Sequence, residues 1–253
     1  PWLSQFGTAE VPHKRYLSDY LTGHWHGSDS KGELYNDDPV SGDARMCGTT
    51  ASLCGIETAR RECRLYDLEN YIRRDLMLHA FMMTQSGLPI LYAGDEIAQE
   101  NDYTYHLDPD KADDSRYIHR GNFDWKKAAN RHVSGTPEQK VFDGIKKLEV
   151  VRNSSKAFDS DADFWTLETW DTAVLAIGRW KDGECVLALF NFAGSERTGW
   201  IGAGGKTSSP ARSGTPRRSS SPLTATRCSS SSIRKGIRLL HLTQIAAEYS
   251  VKS

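Results

Sequence analysis

The sequence predicts an α/β fold followed by a small antiparallel β domain, and three observations carry that expectation. A long helical period over residues 67–86 leads through Gly87 and Pro89 into a short apolar run at 88–92. A second capped helical period opens at Thr136. Past residue 157 the period changes to that of strands, with an Asp182-Gly183 turn between two of them. Helix, short turn and strand in succession is the beat of an α/β barrel or a doubly wound sheet, whereas apolar runs joined by Asp-Gly signal an antiparallel hairpin.

In chain order, Leu68, Tyr71, Ile72, Leu76 and Met82 approximate the spacing of a buried helix face, and Glu69 with Arg73 makes an i,i+4 pair. Gly87 and Pro89 end that helix. The run Leu88-Pro89-Ile90-Leu91-Tyr92, closed by Gly94-Asp95-Glu96, suits a fully buried strand stopping at an acidic loop. Thr136-Pro137-Glu138-Gln139 opens the second helix, with Thr136 as cap, Pro137 in the first turn and Gln139 closing a capping box. Val141, Ile145 and Leu148 supply its inner face. The β-rich runs are residues 164–169, 173–180 and 185–192, too few strands for a stable sheet without something to pack on.

The 253 residues are 38% hydrophobic and 26% charged with a formal net charge of −1, an ordinary globular balance. No run approaches the length of a membrane span, and Pro1-Trp2-Leu3-Ser4 has neither the basic nor the apolar region of a secretion signal. Five cysteines without a CxxC pair (Cys47, Cys54, Cys63, Cys185, Cys228) fit neither a disulfide framework nor a zinc site, so reduced thiols and a cytoplasmic location are expected. The chain starts at Pro1 without a methionine, in a stretch resembling the middle of a structured region, which points to truncation or to initiator removal.

Charge is uneven. Residues 206–253 hold nine Lys/Arg against one acid, Glu248, and twelve serines, which leaves an acidic body with 23 Lys/Arg against 32 Asp/Glu. Such a segment buries too little apolar surface to offset its chain entropy. Three readings stand: a disordered basic tail, a nucleic-acid-binding tail, and an out-of-frame translation. The second is the weakest, because no aromatic residues interleave with the arginines as a stacking platform requires.

Residues 88–96, followed by Asp113-Asp114-Ser115-Arg116-Tyr117-Ile118-His119-Arg120 and Phe123-Asp124-Trp125, resemble the α-amylase superfamily of glycoside hydrolases around its eighth barrel strand. Ser41-Gly42-Asp43-Ala44-Arg45 and the stretch from Gly48 to Glu57 are similar to the region after the seventh strand in amylosucrases and their sucrose-acting relatives. The resemblance covers about residues 1–201. It implies the C-terminal portion of a (β/α)8 TIM barrel (1–157), the start of an incomplete β domain (158–205) and the Ser/Arg-rich tail (206–253). It also implies an active site of loops at the strand ends, no cofactor, no metal, and sucrose with an α-glucan acceptor as partners. No nucleic acid and no membrane are expected.

Retaining glucosyl transfer needs two carboxyl groups about 5 Å apart, one as nucleophile and one as acid/base. In the family these precede the region matched here, and so does a third, sugar-steadying aspartate, so the resemblance implies an inactive piece of a transglucosylase. Two substrate-binding residues carry over. Arg116 matches the arginine at the floor of the glucose pocket, where a guanidinium fork suits paired hydroxyls and a partner carboxylate. Arg45 matches an arginine lining the fructose or acceptor subsites. Rival readings are a sucrose hydrolase, a trehalose synthase or a non-catalytic carbohydrate-binding relic. Asp95 and Glu96 are adjacent and so point apart, shaping a wall and not acting as acid and base. Asp113 and Asp114 read as loop anchors ion-paired beside Arg116, His24-Trp25-His26 as a surface loop without a third metal ligand, and Met77, Met82 and Met83 as core filling.

Overall fold

The computed structural model describes residues 9–199, 237–239 and 250–251. The elements are α1 (Glu10–Thr22), β1 (Glu33–Tyr35), β2 (Arg45–Cys47), α2 (Thr50–Cys54), α3 (Ile56–Arg61), α4 (Leu65–Thr84), α5 (Trp125–Ala129) and α6 (Pro137–Asn153). They continue with β3 (Asp163–Leu167), β4 (Val174–Lys181), β5 (Glu184–Asn191), β6 (Thr198–Gly199), β7 (Ile237–Leu239) and β8 (Ser250–Val251). Two compact units divide the chain: Pro1–Leu76 with Leu91–Ile145, and Met77–Ile90 with Lys146–Ser253.

In the first unit β1 and β2 form an antiparallel hairpin with Glu33 opposite Cys47 and Tyr35 opposite Arg45. Cys47, Tyr105 and Ile118 make a small buried cluster, with Tyr35, Tyr103 and Tyr117 packed against it. Thr49 caps α2 by accepting the Ser52 N–H, and the chain then turns directly into α3 through Gly55 at φ +95°. A Cβ there would stand 2.9 Å from the Tyr71 ring, so both the left-handed backbone and the close approach require glycine.

The α4 period puts Leu68, Ile72, Leu76, Ala80 and Met83 inside, so Met83 fills the place expected of Met82, which is half-buried like Met77. The expected Glu69–Arg73 pair is not made; Glu69 instead takes the ammonium of Lys140 on α6, because a tertiary neighbour outcompetes a solvated i,i+4 partner. α6 begins with its expected cap, the Thr136 hydroxyl accepting the Gln139 N–H at 3.2 Å, but the capping box does not close: the Thr136 N–H is taken by the Val133 carbonyl, and Gln139 reaches one residue further back, to the Gly135 N–H. Val141, Ile145 and Leu148 are all buried.

The second unit holds a four-stranded sheet in the order β3-β4-β5-β7. Its first three strands are antiparallel, and the β4–β5 turn places Asp182 and Gly183 at φ +50° and +88°, the mirror-image turn that Asp-Gly favours. The fourth strand, β7, pairs parallel to β5, so the sheet is mixed where an all-antiparallel one was expected. β6 and β8 form a further parallel pair. Phe81 meets Phe190 edge-on at 5.6 Å, and Ala157, Phe158 and Val186 form a second buried cluster.

Two expectations fare differently. Residues 88–92 form no strand: Leu88 and Ile90 are exposed, and no described strand lies beside them to take up their backbone groups, without which an apolar run cannot become a buried strand. No closed barrel forms among the described residues. Apart from β7 and β8, the reading of 206–253 as disordered or out of frame lies outside the described residues.

Candidate functional site

The 3-10 turn Ser115–His119 carries Arg116 and is anchored from its own flank. The Asp114 carboxylate accepts the Arg116 backbone N–H at 3.0 Å and grips its guanidinium twice, Nε at 2.8 Å and Nη2 at 2.7 Å. The Arg116 hydrogen bonds hold the Asp114 carboxyl down at about 2, and Asp114 in turn raises the guanidinium's value. The guanidinium carbon lies 4.5 Å from the centre of the Tyr35 ring, and the Ser115 hydroxyl donates to the Leu34 carbonyl at 2.7 Å, pinning the turn to β1. Arg116 is therefore a fork fixed by a carboxylate at one edge and an aromatic face below, with part of its side chain open to solvent.

Arg45 is the cross-strand partner of Tyr35. The structure thus brings both arginines singled out in the sequence to one hairpin, although they are 71 positions apart. Arg45 is exposed, and its guanidinium makes no hydrogen bond or ion pair among the described residues. Beyond it, Glu33 accepts from the Tyr105 hydroxyl and from His106 Nε2 at 3.1 Å. Burial and the Glu33 carboxylate push the Tyr105 phenol above its usual range, so it remains a donor. Tyr92 and His119 meet edge-on at 5.8 Å. Burial, then the Arg120 charge, pushes the His119 imidazole down toward its neutral form, and its Nδ1 is buried without a hydrogen-bond partner.

A buried polar network sets the loops that carry these groups. Glu57, wholly buried, accepts from Ser52 Oγ at 2.5 Å and the Tyr103 hydroxyl at 2.9 Å and pairs with Arg61. Asn101 accepts the Thr49 N–H at 2.8 Å, donates its own backbone N–H to Ser52 Oγ at 3.0 Å, and donates through its side-chain amide to the Lys31 carbonyl and to Tyr103 Oη. Thr50 reaches Asp95 at 3.2 Å, which joins the 48–57 stretch to the 88–96 stretch. Asp95 and Glu96 serve the loop backbone, accepting the Tyr92 and Gly94 N–H groups.

The remaining expectations sort plainly. Asp114 is the ion-paired anchor, whereas Asp113 is exposed and forms no ion pair with Arg116, because Asp114 alone is both cap and counter-ion. His24-Trp25-His26 lies in the loop after α1, with His24 Nδ1 2.8 Å from the Thr22 hydroxyl. Among the described residues no three His, Cys, Asp or Glu side chains gather as a metal site, and no helix is long and apolar enough to cross a membrane. Sequence reasoning missed Tyr35, Glu33 and His119. Only His119 had a local signal, lying three positions beyond Arg116 in one turn.

No family model matches the chain. In sequence it is 27% identical over 125 residues to glucosylglycerate phosphorylase of Escherichia coli K12, which covers 49% of this chain. The match spans only 22% of that relative's length. In structure, sucrose 6F-phosphate phosphorylase from Thermoanaerobacter thermosaccharolyticum aligns with a TM-score of 0.47 at 17% identity, over 70% of this chain and 31% of the other. Both are phosphorylases; neither is an amylosucrase, and the amylosucrase branch expected from the 41–57 stretch gains no support from them.

Proposed function

We propose that this chain belongs to an α-glucoside-acting enzyme of the α-amylase superfamily and supplies substrate-binding arginines, not the reacting carboxylates. The observation that carries the reading is Arg116, held as a planar fork by Asp114 and Tyr35 with Arg45 across the hairpin. A fork fixed in this way offers parallel N–H donors to vicinal sugar hydroxyls without first losing rotamer freedom. The motif resemblance over residues 41–57 and 88–125 and the distant relationship to glucosylglycerate phosphorylase agree on the superfamily and differ on the acceptor.

In the first reading, sucrose is the donor: a carboxylate nucleophile takes the glucosyl unit with release of fructose, and an α-1,4-glucan hydroxyl then displaces the carboxylate with net retention. The parent barrel provides nucleophile and acid/base, and a cytoplasmic setting goes with this reading. In the second, inorganic phosphate is the acceptor and a glucosyl phosphate leaves. The exposed guanidinium of Arg45, unpaired among the described residues, favours that reading, since it can meet an oxyanion without first giving up a partner among them.

The test uses the full reading frame with sucrose, supplied with glycogen or with inorganic phosphate. Fructose release with glucan elongation, independent of phosphate, is expected of the first reading. Formation of glucose 1-phosphate only when phosphate is present selects the second. No cleavage of sucrose or of any other α-glucoside under either condition overturns the proposal. The 253-residue chain by itself is expected to release no fructose above a buffer control.

A further inference from the structure

The second unit contains a cavity of about 410 Å³ between the end of α6, the turn that follows it and the start of β5. That volume falls in the range of small-molecule sites, about 300–1,000 Å³. Its walls carry two opposite charges that do not neutralise each other. Arg152 donates to the carbonyls of Met83 and Gly87, meets no carboxylate within ion-pair distance among the described residues, and keeps its remaining N–H groups unused. Glu184 accepts from the Ser155 hydroxyl at 2.6 Å and the Lys156 N–H at 3.1 Å, both on Oε2, which leaves Oε1 uncommitted, with no cation within ion-pair distance among the described residues.

The other charges on this rim are already spent. Asp159 is paired with Lys181 at 2.7 Å, and Lys156 faces Asp182 at 3.6 Å. Behind the wall Arg179 is fully buried, with its donors on the carbonyls of Ala157, Thr84 and Asp159 and on Ser86 Oγ. A cavity with uncommitted donors on one charged wall and an uncommitted acceptor on another discriminates among ligands. An anion meets Glu184, a cation meets Arg152 with Arg179 behind it, and an apolar molecule strands both charges without water. A molecule without net charge that donates and accepts at once satisfies both, either a sugar through its hydroxyls or a small zwitterion through its ammonium and carboxylate, and the size of the space favours the sugar.

We infer that this cavity is a saccharide-binding site, separate from the Arg116 hairpin, in which Arg152 donates to a ring or hydroxyl oxygen and Glu184 accepts from a hydroxyl of the same sugar. The space holds one or two sugar rings. The inference rests on the cavity's own chemistry, and it stands or falls independently of the activity proposed above.

The test is ligand-detected NMR titration of the 253-residue chain carrying Arg116→Ala, so that sugar held at the hairpin does not enter the readout, with glucose, with maltose and, separately, with glycine and with inorganic phosphate. Saturable binding of glucose or maltose is expected. Glu184→Gln should weaken it about tenfold, the effect of losing one charge-assisted hydrogen bond of about 1.4 kcal/mol. Ser160→Trp, an exposed wall position with no hydrogen bond to lose, should fill the cavity and abolish binding while leaving the near-ultraviolet circular dichroism and unfolding temperature intact. Absence of saturable binding by either sugar overturns the inference. So does tighter binding of phosphate or glycine than of the sugars, or saturable sugar binding that survives Ser160→Trp.

Discussion

The Arg116 guanidinium lies 4.5 Å from the centre of the Tyr35 ring, and Tyr35 is itself the strand partner of Arg45. A cation over an aromatic face gains about 0.5–1 kcal/mol at a partly exposed site. Here the gain is orientation, since the ring and the Asp114 fork together leave the guanidinium one plane. In the full-length enzyme, Tyr35→Leu should lower kcat/KM about three- to fivefold, with Tyr35→Phe near normal because the ring is kept. Arg116→Ala should fall by at least about a hundredfold, as misplacement of a reacting group does, and Arg116→Lys should recover little. Steady-state kinetics on the four variants checks this; near-normal turnover of Arg116→Ala would reduce Arg116 to a surface ion-pair residue.

The Asp114–Arg116 pair has a definite pH signature. Asp114 is held at about 2, below its ordinary 3.8, so its contribution to stability is complete above about pH 4 and is lost as the pH falls through about 2. Asp114→Asn should therefore unfold at lower temperature than wild type at pH 7. The gap should close progressively between pH 4 and pH 2. A gap that persists unchanged at pH 2 would place its origin outside the charge, since asparagine keeps an oxygen for the Arg116 N–H.

Asn101 ties together the Thr49 N–H, the Ser52 hydroxyl, the Lys31 carbonyl and the Tyr103 hydroxyl. Asn101→Leu leaves several of these buried groups without partners, at about 1–3 kcal/mol for each one stranded. The expected loss is about 3 kcal/mol in urea unfolding. Because the same network joins the loops around the hairpin, sugar binding at Arg116 should weaken in step with stability.

Arg179 is the least expected buried residue, a guanidinium with no carboxylate within ion-pair distance among the described residues. It tolerates burial because it meets three carbonyls from two separate segments, Ala157 and Asp159 on one and, on the other, Thr84 at the C-terminal end of α4, where the helix dipole favours a cation. Burial and the neighbouring Arg152 charge lower its value from the ordinary one. Arg179→Met should destabilise the second unit by about 3 kcal/mol or more. Arg179→Lys should help little, since one ammonium cannot reach all the acceptors. Hydrogen exchange of the β3–β5 amides reports the change.

Elements whose cause lies within a few residues were legible in the sequence alone. Val141, Ile145 and Leu148 announced the inner face of α6, Thr136 its cap, and Asp182-Gly183 the β4–β5 turn, because period, capping and turn chemistry act between near neighbours. Arg116 with its Asp114 anchor was legible for the same reason, two residues apart in one turn. Tertiary structure alone decided the rest. Leu88, Ile90 and Tyr92 have strand character, yet strandhood needs a partner that no local pattern supplies. Glu69 chose Lys140 over Arg73, Met83 went inside in place of Met82, and Arg45 came to Tyr35 across a hairpin. Arg179, a side chain any composition rule puts at the surface, sits buried because distant segments converge to satisfy each of those donors. Burial of a charge is a property of its acceptors, and those acceptors are assembled only when the chain folds.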